Sequence, residues 1–329
     1  MRNYLVHICL ATFVFLALPV GFNWLIDSYR IFSKPDDKEY FESNTRFQKI
    51  NYITENCQAY NSVIFGNSRA AIFPPEAVDS EENRFFNFAV SDDRVNGFFL
   101  KASYLVSLGC LKNVAIIPVS LDTVGPKYWD AQKDLLRSES PLLSKRSTFD
   151  FFSAYLLNFE ITHTNFNYVI ADASIPRFIY EKDGAVSYTW EMSKEDFEKC
   201  NIPVDFDKVD YTGSISQDLE IHTKLASLLK SAGIVPVLIL MPLPSNIFTS
   251  YLENKQIVGY LKSLEQIYNR KIIANYDKQF TSDYKFWHDC GHFKKSVFEQ
   301  YLAPEIRAGL AKSFSEKTPI VSKIGRNKS

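Results

Sequence analysis

The chain has 329 residues and a formal net charge of −1, with 46% apolar and 15% aromatic residues. So even a charge balance leaves no electrostatic footprint for nucleic acid. The length fits one large domain with appendages, and the apolar content is ample for a core.

In chain order, Tyr4 to Ile26 contains no Asp, Glu, Lys or Arg. As a helix it would span roughly 35 Å, enough to cross a bilayer. Arg2 precedes it, and Trp24 sits near its far end as an interfacial aromatic would. A cleaved signal peptide is the competing reading, but no clear small-x-small cleavage site follows the apolar run. The expectation is therefore a retained anchor with the domain outside the membrane. Residues 27–54 read as a juxtamembrane segment and lead-in, with a charged linker from Ser33 to Glu42 and a helix over Phe47–Tyr60.

Val63-Ile64-Phe65 is a short apolar β-type run, broken by Gly66-Asn67-Ser68. Phe85–Phe88 reads as the second strand, Val95–Leu108 as a helix and Val114–Val119 as a buried third strand. The stretch 125–217 is too long for one crossover. It holds helices predicted over Phe149–Leu157 and Phe166–Phe178, and a hairpin over Tyr180–Trp190 turning at Asp183-Gly184. Ile215–Ala232 is an amphipathic helix stopped by Gly233, and Val235–Met241 is a fourth long strand. Ile247–Tyr268 reads as one helix, Ile272–Tyr276 as a short strand, and Phe293–Leu310 as the closing helix. Lys317–Ser329 is polar, basic and expected to be disordered. This alternation predicts an α/β sandwich with a parallel central sheet.

Ser68 stands where a strand ends, the edge at which open α/β sheets place ligands. It can be a nucleophile only with a base nearby, and Asp289-Cys290-Gly291-His292 offers one. Gly66-Asn67-Ser68-Arg69 resembles the first sequence block of the SGNH/GDSL hydrolases, and Asp289…His292 matches their DxxH block. The resemblance covers roughly residues 55–310, and the anchored layout is similar to the extracytoplasmic branch that includes polysaccharide O-acetylation proteins.

The resemblance implies a three-layer, flavodoxin-like SGNH sandwich over 55–312, with an insertion at about 125–217 covering the site mouth and a tail from 313. It implies a catalytic Ser68, Asp289 and His292, with backbone N–H groups of Ser68 and Asp92 at the oxyanion. Asp92 takes the place of the glycine of the second block (Asn87–Asp92). Ser120-Leu121-Asp122 stands where the family often carries an asparagine after the third strand. No cofactor is implied. The implied partners are a cell-surface glycan substrate, the membrane through the N-terminal helix, and a multi-pass membrane acyltransferase, on the periplasmic side of the cell membrane. In the family's sheet order the first and third strands are neighbours. Cys57 and Cys110, each a few residues before one of them, then enter at the same edge and could form a disulfide; two free thiols are the competing reading, and Cys290 is the rival partner, though it sits at the opposite edge with the DxxH block.

Plainer readings stand beside these. Ser68 could merely cap the helix after the strand. Arg69 could bind an anionic substrate, or pair with an acid to fix the turn. His288, Asp289, Cys290 and His292 could be considered as metal ligands, but four donors within five residues cannot all converge. His163 and His222 read as ordinary surface or core histidines.

Overall fold

The computed structural model describes residues 2–32, 43–124, 135–170, 178–200, 211–274 and 278–315. The expected linker 33–42 and tail 317–329 lie outside them. The elements run α1 (Arg2–Ile26), α2 (Thr45–Glu55), β1 (Ser62–Ile64), α3 (Ser68–Ala71), β2 (Phe85–Asn87), α4 (Val95–Ser107) and β3 (Val114–Val119). Then come α5 (Pro141–Ser144), α6 (Thr148–Leu156), α7 (Phe159–Ile170), β4 (Phe178–Tyr180), β5 (Val186–Tyr188), α8 (Lys194–Glu198) and α9 (Thr212–Ser231). The chain closes with β6 (Val235–Leu240), α10 (Ser245–Glu253), α11 (Lys255–Tyr268), α12 (Lys278–Ser282), α13 (Lys295–Val297), a π-helical turn over Phe298–Leu302, and α14 (Ala303–Ser315).

The central sheet has four parallel strands in the order β2-β1-β3-β6. Its apolar runs are unbroken because both faces are buried. Val63, Ala115, Ile117, Leu238 and Leu240 point into one core with residues of α4, α9 and α11. Ile64, Val114, Ile116, Val237 and Ile239 point into the other, with residues of α13 and α14. Successive side chains thus alternate between two cores.

A proline is unusual in a central strand, and Pro118 is tolerated for a local reason. The Ile116 carbonyl accepts from Phe65 N–H on the β1 side. Two residues on, Pro118 presents its missing N–H to that same side, where the chain has already turned away at Gly66.

Several expectations shift. Ile247–Tyr268 is two helices, because Asn254 is extended and its side chain caps α11 through the N–H groups of Gln256 and Ile257. The helix expected over Phe166–Phe178 begins at Phe159, where Asn158 Oδ1 accepts from Glu160 N–H at 2.8 Å, and Phe178 opens a strand instead. The short strand over Ile272–Tyr276 reduces to one bridge between Ile273 and Ile239, with 275–277 outside the described residues. The lead-in helix spans Thr45–Glu55, and Cys57–Ala59 forms a separate 3-10 turn.

The hairpin β4–β5 forms as expected, with Gly184 in the left-handed region at φ +86°. Its tip docks on the end of β2: Asn87 N–H donates to the Asp183 carbonyl at 2.7 Å. A Cβ on Gly184 would lie 2.1 Å from the Asn87 carbonyl oxygen, so the close approach requires glycine.

The apolar segment forms one helix, and Tyr4–Ile26 is long and apolar enough to cross a membrane. Asn23, near its end, is buried and donates to the carbonyls of Leu156 at 3.0 Å and Asn158 at 3.3 Å. The segment that follows is packed: Ile31 joins Phe47, Phe151, Tyr155 and Ile161 in a small third core.

Cys57 and Cys110 are disulfide-bonded, with Cα atoms 5.0 Å apart. The neighbouring strands β1 and β3 bring them together. Cys200 and Cys290 form a second bridge that sequence reasoning did not assign. It ties the region after the hairpin to the DxxH segment. Non-reducing peptide mapping of protein from an oxidising compartment should recover these two pairs and no others. Replacing Cys200 and Cys290 together by serine should cost about 2–5 kcal/mol of stability. A Cys200 peptide found alone and alkylated would contradict the bridge.

Candidate active site

The turn between β1 and α3 sets Ser68. Gly66 has φ +142°, and a Cβ there would lie 2.4 Å from the Ala70 Cβ and 3.1 Å from Pro118 Cγ. Only glycine lets the chain reverse this tightly against the sheet. Asn67 is the helix cap: its Oδ1 accepts from Arg69 N–H at 3.1 Å, and its amide donates to Ser120 Oγ at 3.2 Å. Capping is therefore Asn67's task, which leaves the Ser68 hydroxyl for another partner. Asn87 holds α3 from behind. Its amide meets the carbonyls of Ala70, Ala71 and Phe73 at 2.8, 3.1 and 2.8 Å, and its Oδ1 accepts from Ala89 N–H at 2.9 Å.

The partner of Ser68 is His292. Ser68 Oγ lies 2.8 Å from His292 Nε2, and His292 Nδ1 lies 2.9 Å from both carboxylate oxygens of Asp289. A carboxylate only accepts, so Nδ1 carries the proton and Nε2 is left to accept from the Ser68 hydroxyl. The three residues expected to converge are in line. Asp289 Oδ1 also accepts from the N–H groups of Gly291 and His292, at 2.7 and 2.8 Å. Burial pushes its carboxyl up, but the bond and charge of His292 and these two N–H groups outweigh it and hold the carboxyl at about 2. It is ionised at any pH near neutral.

The DxxH segment is a closed loop. Trp287 and Phe293 form an antiparallel bridge, and His288 N–H donates to the His292 carbonyl at 2.7 Å. Trp287 is fully buried and donates from Nε1 to the Phe280 carbonyl at 2.9 Å. His288 donates from Nδ1 to the Trp190 carbonyl at 2.5 Å, which turns it away from Ser68 and toward the hairpin segment. Burial lowers the His288 imidazole pKa. Among the described residues no cluster of three His, Cys, Asp or Glu side chains could hold a metal ion. The Cys290 sulfur is in a disulfide.

Ser68 and His292 open into a cavity of about 290 Å³. One wall is aromatic and comes from the hairpin region: Phe178, Tyr180, Tyr188 and Trp190. Tyr188 also donates its hydroxyl to the Ser68 carbonyl at 2.5 Å and sets its ring edge-on to His292. Ala89, Val90 and Ser91 also line it, with Arg46, Lys49 and Arg137. Asp92 is the next residue along this turn, in the left-handed region at φ +51°, a conformation that favours glycine. Behind it, Asp93 is buried between Arg46, at 3.2 Å, and Lys101, at 2.5 Å. Arg46 also pairs with Glu139 and donates to the Ser91 carbonyl at 2.8 Å, so these charges fix the turn beside Ser68.

Arg69 is buried and packs against the DxxH loop, 3.5 Å from where a Gly291 side chain would begin, rather than on the cavity wall. His222 is a core residue between the hydroxyls of Tyr268 and Tyr260, at 2.8 and 3.2 Å, and His163 is exposed beside Asn167. Sequence reasoning missed Lys49, Tyr188, Trp190 and the bracing role of Asn87. The alternation of large aromatics through the hairpin was the available signal for Tyr188 and Trp190. No local signal marks Lys49.

No protein-family model and no curated protein matches this chain, so the family resemblance rests on the chain's own residues.

Lys49 supplies a pH test. Its ammonium group donates to the Ala89 carbonyl at 2.5 Å, and burial first, then the charge of Lys101, lowers its pKa to about 7. Unfolded lysine titrates near 10.4. Between those values the unfolded chain holds a proton that the folded chain does not, so stability should rise with pH through that window. Thermal melts from pH 7 to 10 should show a rising midpoint in the wild type and a flatter one in Lys49→Met. Equal slopes would contradict this.

Proposed function

We propose that the protein is a membrane-anchored SGNH-type serine enzyme, an acyl esterase or O-acyltransferase acting on a cell-surface polysaccharide outside the cytoplasmic membrane. The observation that carries this reading is the alignment of Ser68 Oγ, His292 and Asp289 at 2.8 and 2.9 Å. The four-stranded parallel order, with a serine turn after the first strand and DxxH near the end of the sheet domain, supports the SGNH sandwich as its fold. The apolar helix α1 supports the anchor.

In this reading His292 takes the Ser68 proton as Oγ attacks the acyl carbonyl. Asp289 orients the imidazole and stabilises its charged form. The developing oxyanion is met by the Ser68 N–H and by an N–H of the turn through Asp92. His292 then gives its proton to the departing alcohol oxygen, leaving an acyl-serine. A water or a sugar hydroxyl, deprotonated by the same imidazole, attacks the acyl-serine and restores Ser68. The aromatic wall suits a sugar, whose ring faces pack against Trp and Tyr. Acetyl is the acyl group that the resemblance favours, and a multi-pass membrane acyltransferase is the donor partner in the transfer version.

A second reading is a catalytically weak SGNH-fold subunit that binds or helps assemble a polysaccharide-modifying system. One observation favours it. Ser120 stands where the family's oxyanion asparagine is expected, its Oγ is engaged by Asn67, and it does not line the Ser68 cavity.

Labelling by a serine-directed fluorophosphonate and hydrolysis of an aryl acetate separate the two. The enzyme reading expects labelling of the wild type and none of Ser68→Ala. It also expects rate losses of at least about 10³-fold for Ser68→Ala and of similar size for His292→Ala, because such residues act as a unit. Full acetylesterase activity in folded Ser68→Ala, on a substrate that the wild type cleaves, would end the triad claim. Absence of any wild-type labelling would leave the binding-subunit reading.

A further inference from the structure

Helix α7 carries two different faces. Ile161 and Asn165 are buried against the rest of the protein. Phe159, Phe166 and Ile170 recur at positions i, i+7 and i+11, which at 100° per residue places them in one stripe. They are 59%, 54% and 63% exposed, and Val169 beside them is 56% exposed. His163 falls within the same stripe, and Glu160, Thr164 and Asn167 occupy its flank; all four are exposed. The remaining strongly exposed large apolar side chains outside α1 include Phe149 in α6 and Leu157 at its end; among the described residues only Leu100, Leu108 and Leu252 lie outside the stretch from Leu142 to Ile170. Among the described residues, exposed apolar surface is therefore concentrated where the domain meets α1.

The contacts with α1 indicate what covers that surface. The Asn165 amide donates to Asn23 Oδ1 at 3.1 Å, and Ser28 N–H donates to Asn165 Oδ1 at 3.1 Å. The middle of α7 thus lies level with the far end of the apolar span, next to exposed Trp24, where interfacial aromatics collect. The ring of Phe159 reaches back to Phe15, with centroids 6.5 Å apart. Phe15 lies eleven positions before the end of α1, about 16 Å along a helix. The stripe is continuous with the exposed apolar flank of the span itself.

We propose that α7 packs lengthwise against the outer half of α1 with its apolar stripe on the bilayer that α1 crosses, Phe159 lying deepest beside Phe15 and Phe166, Val169 and Ile170 nearer the headgroups. This rests on reading α1 as a retained span. The domain is then held by two membrane contacts, which restrict how it can swing about the anchor.

The test uses the full-length chain in phosphatidylcholine nanodiscs, in a Cys9→Ser background, with a nitroxide attached at Phe166→Cys. Labels at Phe13→Cys in α1 and at exposed Lys224→Cys serve as references. Power saturation with oxygen and with a water-soluble nickel chelate should give the Phe166 label a several-fold higher oxygen-to-nickel accessibility ratio than the Lys224 label, approaching that of Phe13. A Phe166 ratio equal to that of Lys224, with Phe13 still shielded from nickel, overturns the proposal and leaves the span intact. A Phe166 label shielded from both reagents in discs carrying two chains also overturns it, since a second copy then covers the stripe. Nickel access at Phe13 as well as Phe166 overturns the span reading and this inference with it.

Discussion

The hydrogen bond between Ser68 and His292 joins residues 224 positions apart, and much of the structure serves to hold its two ends still. At the serine end, β1 pairs with both β2 and β3, so Gly66 leaves the sheet at a fixed height. Asn67 then anchors the turn to the end of β3, and Asn87 anchors α3 to the end of β2. At the histidine end, the loop is closed by the Trp287–Phe293 bridge, pinned by the buried Trp287, and tied to Cys200. Each end is thus over-determined by polar contacts that an apolar core alone could not provide. Precision of a few tenths of an ångström in a hydrogen bond needs such directional partners.

The buried charges near the cavity belong to the same logic. Arg46, Asp93 and Lys101 are nearly inaccessible, and desolvating three ionic groups is costly enough that such a cluster is poor evidence for net stability. What it does is specify geometry, since Arg46 grips both Asp93 and the Ser91 carbonyl and so sets the turn that faces Ser68. The hairpin supplies the complementary wall from a different part of the chain. Its contact with Ser68 is direct, through the Tyr188 hydroxyl and the Ser68 carbonyl, while its tip rests on Asn87. Asn87 therefore touches both α3 and the hairpin.

Much of this was legible in the sequence because the signals were local. Unbroken apolar runs marked β3 and β6, the Asp183-Gly184 turn marked the hairpin, and Gly66-Asn67-Ser68 with Asp289…His292 marked the two ends of the site. The pairing of Cys57 with Cys110 was one of two open readings, made possible by the strand order that the resemblance implied, and the structure decides for the bridge. The misses have physical causes. Asn254 looks like any polar residue in a helical pattern, and only its extended backbone and capping side chain split α10 from α11. Lys49 sits on a helix 19 residues before Ser68 and reaches the cavity only through packing. Cys200 and Cys290 lie 90 residues apart, and no strand pairing announces their contact.

The central claim is that Ser68 is the atom that carries the acyl group. Rapid quenching of the wild type with excess acetyl ester, followed by peptide mapping, tests it most directly. The account predicts one acetyl group, on the peptide containing Ser68, that accumulates within a turnover and disappears as substrate is exhausted. Turnover with no acetyl on that peptide, or the same transient acetyl on a different residue, would contradict it.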